Sequence, residues 1–274
     1  MALATARDGL ESAVGLIQAR FGSAALHRAS SPSPWEADPA SHTDAIATGI
    51  PALDTLTGVG GLPTGRLSVL LGACGSGKTM LAYRFLASLS EQAAAVLWLD
   101  LTGQADPWLM ARLGVHLDRL LLMRPLPGGE LAPSLEAALA LVRAGVGGLI
   151  VDLPGGASRS GASRSGAWDP MAATLSAACA RAAIPFLALG ETAGDPLRYA
   201  ASLVLRLRRM ERVWHHGDVV GVRVAVSVEK NKVGTPGRTA EVQLDYPLGG
   251  FFPPAIAAAP GTAAAVSAAA AGSR

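Results

Sequence analysis

Leu67-Ser68-Val69-Leu70-Leu71-Gly72-Ala73-Cys74-Gly75-Ser76-Gly77-Lys78-Thr79 joins an apolar run of strand length to a complete G-x-x-x-x-G-K-T loop. Downstream, Leu81, Phe85, Leu86 and Leu89 recur at helical spacing. Strand, glycine-rich loop and helix in that order are what a phosphate cradle requires. The glycines let the backbone curl so that successive N–H groups face phosphate oxygens. Lys78 can then reach the β- and γ-phosphates, and the Thr79 hydroxyl can hold Mg²⁺. A helix that starts at Lys78 aims its positive end at the same anion. Gly72, Ala73, Cys74, Gly75, Ser76, Gly77, Lys78 and Thr79 are therefore the expected nucleotide-binding residues. A relic loop that keeps the fold and binds nothing is the alternative.

The bulk properties narrow the class. With 274 residues, half of them hydrophobic, the chain can build one sizeable core, although alanine inflates that fraction. A formal charge of +2 is too balanced to imply a nucleic-acid partner by itself. Two cysteines, Cys74 and Cys179, form neither a zinc pattern nor a disulfide framework. No apolar run approaches the ~20 residues of a membrane span. Asp8 and Glu11 near the start break the basic-then-apolar order of a signal peptide. The expectation is a soluble, cytoplasmic protein.

Four segments are expected. Residues 1–29 hold a helix with the stripe Leu10, Val14, Ile17 and Phe21, opened by Asp8 and Glu11 as a capping box. Residues 30–45 read as a proline-bearing linker, and 46–255 as the core. Residues 256–274 are an Ala-rich disordered tail, with a frayed alanine helix as the alternative. Within the core, buried strands at 95–100, 120–123, 149–152 and 184–189 alternate with helices at 107–114, 133–144 and 171–182. Non-alternating apolar strands between helices predict an α/β fold: a mostly parallel sheet covered on both faces. Period-two runs follow at 203–208, 222–228 and 242–246, with a turn at His215-His216-Gly217-Asp218. They predict antiparallel strands at the sheet's edge.

Asp152 ends the Leu149-Ile150-Val151-Asp152 strand about seventy residues after the loop, where a phosphate-loop protein holds the Mg²⁺ shell through water. An Asp that only caps the next turn is the alternative. Further blocks carry a family resemblance: Gly60-Gly61-Leu62-Pro63-Thr64-Gly65-Arg66 before the loop, then Asp106-Pro107 with Ala111-Arg112-Leu113-Gly114-Val115. Glu229-Lys230-Asn231-Lys232-Val233 with Ala240-Glu241-Val242-Gln243-Leu244 and the early Gln18-Ala19-Arg20-Phe21-Gly22 complete the set. In order, from about residue 10 to 252, these blocks resemble bacterial RecA recombinases. The resemblance implies the RecA-like P-loop NTPase core, ATP and Mg²⁺ as cofactors, self-assembly into filaments or rings, and a role in DNA recombination or repair. It also implies adenine contact by Asp106. The first helix would pack on a neighbouring protomer, and Lys230 and Lys232 would reach the neighbour's γ-phosphate. Two lysines at i and i+2 on a strand do project to one face, which suits a shared anionic target; a solvated strand end is the alternative.

The departures bear on activity. The family's water-activating glutamate falls at Thr102, and loss of a positioned base typically costs ~10²–10⁴ in rate. The family's γ-phosphate-sensing glutamine falls near Glu191, whose carboxylate is either a relocated base or a sign of decay. The stacking aromatic is replaced by Leu109, with Trp108 adjacent. The family's long second DNA-binding loop has no room before Leu203, and the expectation is a chain without the family's C-terminal accessory domain. A Gly/Ser loop repeating Gly-Ala-Ser-Arg-Ser stands in place of the first DNA loop. Its Arg159 and Arg164 are possible DNA contacts through charge alone, or part of a neutral linker. Arg206, Arg208, Arg209 and Arg212 read as a basic strand face, by default a solvated edge. The expectation is a RecA-like protein of DNA repair and the damage response that binds ATP–Mg²⁺, hydrolyses it slowly if at all, and binds itself and single-stranded DNA. The competing expectation is a non-enzymatic accessory module for a translesion polymerase.

Overall fold

The computed structural model describes residues 2–21, 43–125, 131–154, 162–191 and 195–247. Two compact units divide at His42. The first contains helix α1 (Ala2–Phe21). Of its expected stripe, Leu10 and Ile17 are exposed and Val14 is half-buried. The helix begins well before Asp8, so Asp8 and Glu11 lie inside it and do not form a capping box.

The second unit starts with a two-stranded antiparallel ribbon, β1 (Ala45–Ile46) and β2 (Leu62–Pro63), around a short helix, α2 (Pro51–Thr57). Gly61 is imposed by this ribbon: a Cβ there would lie 2.1 Å from the Ile46 carbonyl oxygen. Sequence reading missed α2, which Pro51 opens and Gly58 closes in the left-handed conformation, φ 80°.

Strand β3 (Leu67–Leu71) then runs into helix α3 (Lys78–Gln92), which begins at the residue the motif predicts. Next come β4 (Val96–Asp100), helix α4 (Pro107–Arg112), β5 (Leu120–Met123), helix α5 (Leu131–Ala144) and β6 (Leu149–Asp152). Helix α6 (Ala162–Ala182), β7 (Phe186–Gly190), the short helix α7 (Asp195–Ala200), β8 (Leu203–His215), β9 (Asp218–Asn231) and β10 (Thr239–Asp245) complete the unit. The main sheet has the order β10-β9-β8-β3-β7-β6-β4-β5. Pairs from β8 through β5 are parallel, and the β8–β9 and β9–β10 pairs are antiparallel. The expected α/β architecture is the observed one.

Burial explains the layering. Every residue of β3, β4, β6 and β7 is buried. Alternate side chains feed two cores. Leu70, Trp98, Ile150 and Leu187 pack with Leu81, Phe85 and Leu86 of α3 on one face. Val69, Leu97, Val151 and Ala188 pack with Leu135 and Val142 of α5 and Leu175 and Cys179 of α6 on the other. The β8–β9 hairpin turns at His216 and Gly217, φ 50° and 90°, the paired positive angles of a tight two-residue turn.

Two expectations change here, and others lie outside the described residues. Helix α6 extends upstream of Met171 through Pro170 to Ala162, so Arg164 lies in a helix and not in a mobile loop. Arg159, the Ala-rich tail and the linker up to His42 fall outside the described residues. Strand β8 is not a sheet edge, because β3 and β9 flank it.

Candidate nucleotide site

Parallel topology delivers the carboxyl ends of β3, β7, β6 and β4 to one rim, and the expected site residues gather there. The Gly72 N–H donates to the Gly190 carbonyl at 3.1 Å, which ties the loop's entry to the end of β7. Gly77 adopts φ 89° just before α3, and a Cβ there would meet Leu244 Cδ1 at 2.8 Å. No other residue type fits without strain. Ala73, Cys74 and Gly75 are exposed at the crest, while Lys78 and Thr79 are half-buried. Lys78 Nζ donates to the Ala73 carbonyl at 3.4 Å, so its ammonium already arches over the loop. Among the described residues no carbonyl accepts from the N–H groups of Gly75, Gly77, Lys78 or Thr79. Four unsatisfied donors converging with a lysine at a helix N-terminus fit a polyphosphate, and Thr79 adds a hydroxyl for its divalent cation.

Asp100 and Asp152 are paired across adjacent strands β4 and β6 and are both buried. Thr102 lies between them: its Oγ1 is 2.9 Å from Asp100 Oδ1 and 3.1 Å from Asp152 Oδ2. One hydroxyl proton cannot serve two carboxylates at once. Burial pushes the Asp152 carboxyl up to about 6, and the Asp100 charge adds to the rise, while Thr102 and Lys78 oppose it. The influence of Lys78 places Asp152 within electrostatic reach of the loop. Burial also pushes the Asp100 carboxyl up. Arg124, the Ala105 N–H, Thr102 and the Gln104 N–H outweigh burial together and hold it below its ordinary value. Asp100 is thus consumed by the turn, accepting from Arg124 Nε at 2.8 Å and Ala105 N at 3.0 Å. It has no capacity left to activate water.

Asp106 caps α4, its Oδ1 accepting from Trp108 N at 2.9 Å and Leu109 N at 3.2 Å. Its own N–H donates to Tyr83 Oη at 2.9 Å, which pins the segment to α3. Burial, with the surrounding carboxylates, pushes the Tyr83 phenol up to about 12. Leu109 packs on the core, whereas Trp108 is exposed beside Asp106 and is the aromatic face open to a base. Glu191 directly follows β7 and is half-buried next to the loop's anchor.

Lys230 and Lys232 do share one target, but in this structure it belongs to their own chain. Lys230 Nζ donates to the Arg198 and Tyr199 carbonyls at 2.6 and 2.9 Å, and Lys232 Nζ to the Tyr199 carbonyl at 3.3 Å. Both ammonium groups also lie under 6 Å from the Tyr199 ring centroid, at 5.8 and 5.7 Å. Burial, then the Lys232 charge, pulls the Lys230 ammonium below its ordinary value. Asn231 between them holds the segment to α2 by donating to the Thr57 carbonyl at 2.9 Å. The expected basic face of β8 is divided. Arg206 and Arg198 both pair with Glu229, whereas Arg209 donates to the Gly75 carbonyl at 3.4 Å. A bulge between Arg209 and Glu211 separates these from Arg212.

Sequence reading missed Tyr83 and Arg124, and it placed Arg209 on a basic strand face without its contact with the phosphate loop. Arg124 had a legible signal: like Asp100 and Asp152, it is the first charged residue past an apolar strand. Tyr83 had none, and neither had the reach of Arg209 to Gly75, since both depend on contacts between distant elements.

With this geometry in view, the comparisons decide the lineage. The RecA N-terminal domain matches residues 8–155. The chain belongs to the RecA family. It is 30% identical over 267 residues to a protein named RecA from Brevibacillus brevis, covering 88% of this chain and 73% of that one. It is 33% identical over 267 residues to RecA of Ectopseudomonas oleovorans, covering 88% and 74%. With RecA of Bacillus subtilis it shares 31% over 228 residues, covering 73% of this chain and 65% of that protein. A crystal structure of the RadB recombinase superposes with a TM-score of 0.61 at 21% identity, covering 74% of this chain and 97% of that one, which is a likeness of fold. The sheet, with helices on both faces and antiparallel strands at one end, is that of a RecA-like P-loop core. Among the described residues no helix is long and apolar enough to cross a membrane.

Proposed function

We propose that this RecA-family protein uses ATP–Mg²⁺ as a conformational ligand that controls self-assembly or single-stranded DNA binding in recombination and repair, with weak hydrolysis. The observation that carries this reading is the asymmetry of the site. The N–H groups of Gly75, Gly77, Lys78 and Thr79 have no carbonyl acceptor among the described residues, while the Thr102 hydroxyl lies between Asp100 and Asp152.

Each residue then has a role within its reach. The loop N–H groups and Lys78 bind and orient the phosphates. Thr79 is placed to hold Mg²⁺ directly and Asp152 to hold its water shell, and Thr102 orients Asp152. Mg²⁺ supplies charge neutralisation between the phosphates when bound. Trp108 offers a face to the adenine beside Asp106. Lys230 and Lys232, gathered on Tyr199, are positioned to exchange those carbonyls for a neighbour's phosphate. Thr102 itself cannot take a proton from water, and Asp100 is committed to Arg124 and Ala105. Binding without rapid turnover still shifts a population toward the assembly state that the ligand prefers.

The test is paired light scattering and fluorescence anisotropy on a single-stranded oligonucleotide, with and without ATP–Mg²⁺. ATP should raise self-association and tighten DNA binding, and DNA affinity should fall steeply as salt rises. Lys78→Ala should abolish nucleotide binding and both effects. If nucleotide binds yet changes neither readout, the reading fails in favour of a partner module for a translesion polymerase. That alternative draws support from the short interval between β7 and β8, where α7 stands in place of a long loop.

A further inference from the structure

The β8–β9 hairpin outruns the sheet it belongs to. Strand β3 pairs with β8 only as far as Arg206, and β10 pairs with β9 only as far as Gly221. From Trp214 to Val219, no third strand lies beside the hairpin among the described residues. This outer end carries Trp214, 60% exposed, whereas Trp98 is fully buried in the core. Register decides which side chains share the tryptophan's face. Arg209 lies opposite Val224 and Arg212 opposite Val222, and both valines belong to the core that packs on α3. Directly opposed residues project to the same side, so these two arginines face the side of α3 and the phosphate loop. The bond from Arg209 to the Gly75 carbonyl agrees with that placement. Trp214 is two residues beyond Arg212 on the same strand and joins the same face. The carboxylates of the outer hairpin lie on the other side. Glu211 is opposite Arg223 and ion-paired with it at 2.8 Å, and Asp218 is opposite His215 at the turn. One face therefore runs outward from the phosphate loop as Arg209, Arg212 and Trp214, with no carboxylate among them. Arg212 itself has no carboxylate partner among the described residues.

We propose that this face is a platform for single-stranded DNA, with a base stacked on the Trp214 ring and backbone phosphates held by Arg212 and Arg209. An unpaired base presents a π-face and its backbone an anion, so an exposed ring interleaved with guanidinium groups matches both. An apolar protein surface is a poorer match, because charge flanks the ring. Strand addition by a second copy is opposed by the backbone. Register shifts at Arg209/Glu211 and Val213/Trp214 place one irregularity in each strand of the outer hairpin and spoil both edges for pairing. The proposal rests on the DNA half of the functional reading and not on its nucleotide half.

The test titrates the full-length chain against a fluorescein-labelled oligo(dT) by anisotropy over a salt series, with and without ATP–Mg²⁺. Trp214→Ala should weaken binding roughly fivefold to a hundredfold, the worth of one stacked base, and Trp214→Phe should restore most of it. Arg212→Ala should reduce the slope of log affinity against log salt by about 0.7, the share of one phosphate contact on a single strand. Arg208→Ala removes the same charge from the opposite face, where Arg208 lies across from Ala225, and should leave the slope unchanged. Full affinity in Trp214→Ala overturns the platform, as do equal effects of Arg208→Ala and Arg212→Ala, which would mean attraction by net charge alone. Loss of self-association in Trp214→Ala, read by light scattering with DNA affinity intact, overturns it in favour of a protein contact. A wild type that binds no oligonucleotide overturns it together with the DNA half of the functional reading. Binding that depends on Trp214 but ignores ATP upholds the platform and removes only the control of DNA binding by nucleotide.

Discussion

Asp152→Asn should make the nucleotide-free protein more stable, and the size of the gain follows from the site. The Asp152 carboxyl is buried and titrates at about 6 in place of 3.8. In the unfolded chain it ionises near its ordinary value. Below about pH 4 it is protonated in both states and costs nothing. Between about 4 and 6 the unfolded chain ionises first, so the native state loses stability as pH rises. Above about 6 the native carboxylate is charged, and the full penalty is present. A shift of about two units corresponds to roughly 3 kcal/mol at pH 8. The asparagine oxygen can still accept the Thr102 hydroxyl, so the substitution removes the charge and keeps the contact. Urea denaturation of the nucleotide-free protein at pH 4, 6 and 8 measures the dependence. The gain should be near zero at the lowest pH and greatest at the highest. A variant no more stable than wild type at pH 8, or a gain independent of pH, refutes the argument. With ATP–Mg²⁺ present the order should narrow or reverse. Ligand at a hundred times its Kd adds about 2.7 kcal/mol, and Asp152→Asn should collect less of it through weaker Mg²⁺ retention.

Two further outcomes test neighbouring residues. Thr102→Glu should raise ATP turnover by at least about tenfold, short of the full ~10²–10⁴ of a well-placed base because the new carboxylate joins Asp100 and Asp152; phosphate release at saturating Mg²⁺ measures it, and no increase with nucleotide binding intact refutes it. Arg124→Ala should destabilise by about 2 kcal/mol at pH 7, the cost of stripping a charged hydrogen bond from a buried carboxylate, with its half-exposed arginine setting the lower end. Asp100 is held below its ordinary value, so this contribution is present above about pH 4 and lost as pH falls further; denaturant midpoints at pH 7 and pH 3 check the sign.

The sheet was legible because its strands leave little choice. Apolar runs that end in Asp100, Asp152 or Gly72 read as buried strands opening onto a polar rim, and all three are buried strands of the sheet. Helix α3 begins at Lys78 because the motif fixes its first turn. The misplacements have local physical causes. Helix α6 was read short because glycine, serine and Pro170 are poor helix formers, yet its later turns bury Ala172, Leu175 and Cys179 against β6 and β7. Helix α2 was overlooked because seven residues carry too little periodicity to separate from a turn. Strand β8 looked like an edge because its arginines alternate with apolar residues, but β9 pairs along it and brings Glu229 to Arg206, an arginine that sequence alone presents as bare.

The same distinction explains why the nucleotide half of the site could be read and the Thr102 half could not. A phosphate cradle is built from contiguous backbone, so its geometry is encoded in consecutive residues and a single motif carries it. The opposite wall is built from side chains that converge from three strands: Asp100 and Thr102 from the end of β4, Arg124 from β5 and Asp152 from β6. Substituting Thr for Glu reads in sequence as the loss of a base. In the folded protein it is also a cross-strand tie: the Thr102 hydroxyl sits 2.9 Å from Asp100 and 3.1 Å from Asp152 and donates its one proton to one of them at a time. A residue held between the two acids steadies that wall without offering a base. Retention of Lys78 and Thr79 alongside that tie is consistent with selection for occupancy of the loop, and turnover then becomes the property most free to decline.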